Sequence, residues 1–132
     1  MIKTKETSKS GLSVLAGLIG YATSGSLGLY LLKTFWVEYA KSSVDKSYTF
    51  EMLLSRLFVG FVAAVTASIL TTKTSKQPWK TSWIVGIIVF SVAAYIHFIR
   101  VWTDYPIWYH FSYLLLIIPI IKLTSYYLTK KD

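Results

Sequence analysis

Residues 12–32 read LSVLAGLIGYATSGSLGLYLL, an apolar run without one charged side chain. The hydrocarbon core of a bilayer is about 30 Å thick, which about 20 helical residues cross at 1.5 Å each. No water reaches that core, so a crossing segment must satisfy its own backbone polar groups, and a helix does so. The same reading repeats three times down the chain. Residues 57–72 carry no charge after Arg56, residues 81–99 hold only His97 as an ionisable group, and residues 105–121 hold only His110. Spans are therefore predicted at about 12–32, 50–71, 82–101 and 107–127. The expected fold is all-α: an integral membrane four-helix bundle, up-down-up-down, with residues 1–132 forming one transmembrane domain.

Composition agrees with this reading. Of 132 residues, 54% are hydrophobic and 15% charged, and four spans leave no room for a separate soluble domain. A formal charge of +8 raises the question of nucleic acid. The lysines, however, sit in short connectors and tails beside apolar runs, where anionic lipid headgroups are the simpler partner. No nucleic acid is expected. With no cysteine in the chain, disulfides, thiolate nucleophiles and cysteine metal sites are excluded. Lys3, Lys5 and Lys9 ahead of an apolar stretch and Ala22-Thr23-Ser24 are similar to a secretory signal with a small-residue cleavage site. Hydrophobicity resumes at once through residues 27–32, so an uncleaved first span is expected.

Lysine placement predicts orientation. Lys3, Lys5 and Lys9, then Lys73, Lys76 and Lys80, then Lys122, Lys130 and Lys131 fall on one side of four spans. Lys33, Lys41, Lys46 and Arg100 fall on the other, so both termini are expected to be cytoplasmic, in a bacterial cytoplasmic membrane. Aromatic residues at the joins read as interface anchors: Phe35, Trp36, Tyr39, Tyr48, Phe50, Trp102, Tyr105, Trp108 and Tyr109 outside, Trp79, Trp83, Tyr126 and Tyr127 inside. Pro78 reads as a connector residue, Pro106 as a starter of the last span, and Pro119 as a kink within it.

Small residues recur at helical spacing. Ala16, Gly20, Ser24 and Gly28 line one face of the first span, and Gly60, Ala64 and Ser68 one face of the second. Membrane helices associate largely through such close approach, so these two stripes are expected to pack on each other, with self-association of the first as the alternative.

Arg56 shares the row of Gly60, Ala64 and Ser68, about 9 Å below the start of its span. A guanidinium at that depth must find acceptors or reach outward, and facing the bundle is the expected solution. Glu51, Asp104, Glu38 and the two histidines are its candidate partners, while Arg100 and Asp104 can pair with each other if helicity extends that far. Arg56, His97 and His110, rimmed by Tyr95, Trp102, Trp108, Tyr109 and Tyr113, form the candidate site, an outer polar vestibule suited to an anionic headgroup, carboxylate or phosphate.

Two histidines thirteen residues apart with no carboxylate at a motif spacing are far from a zinc signature, and phosphate-loop, dinucleotide and nucleophile-elbow motifs are missing. No metal site, cofactor or catalysis is expected. The leading expectation is a non-catalytic membrane protein that binds lipid or another membrane subunit. A protomer of a small oligomeric transporter or channel is the alternative, and a lipid-modifying enzyme using His97 or His110 as general base a third. Gly20-Tyr21, Ala63-Ala64 leading to Lys73, and Pro106 with Trp108 give the chain a layout that resembles a broad group of small, uncharacterised four-span bacterial membrane proteins. The resemblance implies the four-span fold and no particular activity.

Overall fold

The structure, a computed structural model, describes residues 2–130, with side chains from residue 11 onward. Lys131 and the side chains of Lys3, Lys5 and Lys9, which enter the orientation argument, lie outside the described residues. Helix α1 is Ile2–Phe35, α2 is Val37–Asp45, α3 is Phe50–Thr74, α4 is Pro78–Tyr95 and α5 is Ile107–Lys130. A π-helical turn, Ile96–Arg100, extends α4, and a 3₁₀ turn, Trp102–Asp104, leads toward α5. No strand occurs among the described residues.

Gly11–Phe35, Phe50–Thr74, Pro78–Arg100 and Ile107–Lys130 are each long and apolar enough to cross a bilayer. Large apolar side chains such as Phe58, Leu115 and Leu123 face outward, while Ala63, Ala64, Ala67, Ser68 and Ser82 lie in the interior. Lipid tails are as apolar as leucine, so nothing drives the large side chains inward, and small ones let backbones approach. The chain is an all-α integral membrane protein with a four-helix bundle.

Local chemistry sets the helix starts. Thr49 caps α3 by accepting from the Met52 amide at 3.3 Å. Pro78 opens α4 at its first turn, where a missing N–H costs nothing, so it belongs to the helix rather than to a connector. Between α1 and α3 the sequence reading left only a connector, but α2 fills most of it. That helix ends at Lys46, whose left-handed φ of 62° turns the chain. Ser47 then donates its amide and hydroxyl to Asp45 Oδ1, which holds that exposed carboxyl below its ordinary range. Helix α5 runs unbroken through Pro119.

Around the bundle α1 packs on α3, α3 on α5 and α5 on α4, while α1 against α4 is the loosest of these four neighbouring seams. The stripe pairing differs from expectation. Gly17, Gly20 and Gly28 do face α3, against Thr71, Leu70 and Val59 respectively, and Ser24 caps its hydroxyl on the Gly20 carbonyl. Gly60, Ala64 and Ser68 face α5 instead: Gly60 lies under the Tyr113 ring, Ala64 beside Ile117, and the Ser68 hydroxyl donates to the Ile121 carbonyl at 2.6 Å. Helix α3 has small residues on two adjacent faces, and the one carrying Ala63 and Ala67 meets α1.

Candidate functional site

Because the row of Gly60 and Ala64 faces α5, Arg56 on the same row reaches α5 as well. Its Nε donates to the Tyr109 hydroxyl at 3.1 Å and its Nη1 to the Tyr39 hydroxyl at 2.6 Å. The guanidinium also lies over the rings of Tyr105, at 4.9 Å, and Tyr48, at 5.5 Å. Tyr39 comes from α2, and both it and Tyr109 are fully buried. Burial pushes the Tyr39 and Tyr105 phenols above their ordinary range despite the nearby guanidinium, so neither supplies a negative charge.

None of the expected carboxylate partners engages Arg56: Glu38 and Glu51 are exposed, and no ion pair forms among the described residues. Arg100 and Asp104 do not pair either, since helical continuity stops at Val101, whose amide bonds back to the Ile96 carbonyl.

The π-helical turn carries His97, which is 7% exposed, toward α5. There its Nδ1 lies 2.8 Å from Nδ1 of His110, a fully buried residue. His110 Nε2 in turn lies 3.0 Å from the Trp102 carbonyl oxygen, and the Trp102 indole stacks on the His110 ring at 4.8 Å. His97 stacks on Tyr113 at 4.7 Å, and the Tyr113 hydroxyl bonds that of Tyr21 on α1. Arg56, His97, Tyr109 and Tyr113 line one cavity, with His110 and Trp102 directly behind His97. Trp108 is set outside them, 39% exposed, with its ring between Phe50 and Tyr109. Tyr95 does not join them: it is 58% exposed and lines no part of the cavity described next.

A cavity of ≈320 Å³ opens in front of Arg56 and His97. Tyr21, Tyr109 and Tyr113 share its polar end, and Leu18, Leu29, Val59, Val89 and Val92 line the rest. Its surface-exposed lining, Ala22 on α1 with Val92 on α4 and Ile96 in the π-helical turn that extends it, marks a sideways mouth at this loosest seam. The arrangement provides a cation and hydroxyls at one end, an apolar wall behind, and a door facing lipid.

Sequence reasoning missed the cage of Tyr39, Tyr48 and Tyr105, which read as interface anchors, and the hydroxyl of Tyr21. It also counted Lys122 with the carboxyl-terminal tail. Lys122 lies inside the bundle, 8% exposed, donating to the Trp79 carbonyl at 2.7 Å and to Ser82 Oγ at 2.8 Å, with its ammonium 3.3 Å from the Trp79 ring centre. Comparison of the chain with protein families, curated proteins and solved structures finds no match to any of them.

Proposed function

We propose that this chain is a non-catalytic integral membrane protein that draws the headgroup of an anionic membrane lipid into the cavity between α1 and α4. One observation carries the reading: a guanidinium at membrane depth gives two of its five N–H donors to neutral tyrosine hydroxyls and meets no carboxylate among the described residues. A cation at membrane depth without a counter-charge is costly, and an anion arriving from the bilayer removes that cost. The apolar wall and sideways mouth favour an amphiphile over a soluble anion. At ≈320 Å³ the cavity suits a headgroup and the first methylenes of its chains rather than a partner's helix, which is about 10 Å across.

The lysine distribution supports the orientation that belongs to this reading. Both termini and Lys73, Lys76 and Lys80 face the bacterial cytoplasm, and the Arg56 end of the cavity lies in the outer leaflet. Arg56→Gln tests the proposal when unfolding in detergent and binding of phosphatidylglycerol against phosphatidylcholine are measured separately. The expected result is a loss of the anionic preference by about tenfold or more, the scale of one charge-assisted contact. Intact preference with lowered stability would reduce Arg56 to a structural tie.

A further inference from the structure

A carbonyl oxygen only accepts, so His110 Nε2 donates its proton to Trp102 O. For two neutral imidazoles the tautomers follow from their partners. His110 Nδ1 is then bare and accepts from His97 Nδ1–H across 2.8 Å. His97 Nε2 is bare in its turn. It has no partner among the described residues, and His97 lines the cavity together with Arg56.

Resting on the lipid reading above, we infer that this site takes an anionic lipid whose headgroup carries its own O–H, the anionic oxygen accepting from Arg56 while the hydroxyl donates to His97 Nε2. The cavity is thus lined both by the guanidinium donors and by the ring that carries this lone pair. An anion with acceptors only would satisfy Arg56 but press an oxygen lone pair against the imidazole lone pair, leaving a buried acceptor unpaired. Two lipid chemistries provide the missing proton: a phosphate monoester that retains one, and a phosphodiester esterified to glycerol.

Binding to the purified full-length protein in phosphatidylcholine nanodiscs, followed by native mass spectrometry, separates these cases. Phosphatidic acid, phosphatidylglycerol and phosphatidylmethanol with identical acyl chains are supplied in equal amounts at about pH 6, where roughly half of the phosphate monoester keeps its proton. Phosphatidylmethanol has the phosphodiester charge but no O–H. Phosphatidic acid or phosphatidylglycerol is expected to bind about tenfold more tightly than phosphatidylmethanol, and the winner tells whether the proton sits on phosphate or on glycerol.

Equal binding of all three, each above phosphatidylcholine, would overturn the inference and leave the anionic-lipid reading standing. No preference for any of them over phosphatidylcholine would overturn that reading itself. His97→Phe keeps a ring on Tyr113 and removes Nε2; it is expected to lower the two hydroxylated lipids to the phosphatidylmethanol level. A preference that survived in this variant would locate the acceptor elsewhere and defeat the assignment. The comparison of lipids on the unaltered protein decides the matter if the variant does not fold.

Discussion

Arg56 shows what an apolar run reveals and what it hides. A guanidinium in such a run is conspicuous, as are His97 and His110 in theirs, so the sequence identified the ionisable members of the site. Its partners were invisible for a physical reason. Tyrosines near a membrane interface have a sufficient explanation as anchors, and the fold alone brings Tyr39, Tyr48 and Tyr105 around one cation. The Tyr39 contact can be weighed directly. Tyr39→Phe removes the hydroxyl that accepts from Arg56 Nη1 and leaves a half-buried charged donor short of a partner. Thermal unfolding in detergent should show a loss of about 1.5–3 kcal/mol, and in an Arg56→Gln background most of that loss should vanish. Thr71 has the opposite expectation. Its buried hydroxyl has no hydrogen-bond partner among the described residues, so Thr71→Val, which keeps the shape, should stabilise the protein by up to about 1 kcal/mol in the same assay. A clear destabilisation would mean that the hydroxyl is satisfied after all.

At the scale of helices, span number and approximate limits were legible because length and hydropathy fix them. The pairing of faces was not. Helix α3 places small residues on two neighbouring faces, and spacing cannot say which one meets α1. The outcome matters for the site, since giving α5 the row of Gly60 and Ala64 lets Tyr113 settle over Gly60 and stack on His97. Helix α2 went unread because a lysine-bearing connector between two spans looks the same whether coiled or helical. Two glycine substitutions on α1 test the packing. A Cβ on Gly17 would collide with the Thr71 side chain and come 3.2 Å from the Ala67 carbonyl oxygen, which the backbone of α3 holds in place. Gly17→Ala should therefore destabilise by about 1–3 kcal/mol despite the better helix propensity of alanine. Gly11 meets nothing within 4 Å, and Gly11→Ala should be neutral or slightly stabilising by the same measurement.

For the molecule as a whole, the lack of native cysteine makes the proposed orientation simple to check. Single cysteines at Asp45→Cys and Lys76→Cys should label with a membrane-impermeant maleimide from opposite faces of sealed cells and inverted vesicles, the former from outside. The reverse pattern would move the Arg56 end of the cavity to the cytoplasmic leaflet. The sideways mouth between α1 and α4 carries a further consequence. A ligand that arrives through it comes from a two-dimensional solvent, so occupancy follows the mole fraction of that lipid among its neighbours and not its molarity in the tube. Diluting such a sample with buffer leaves the protein as loaded as before; diluting the lipid with inert phosphatidylcholine empties it.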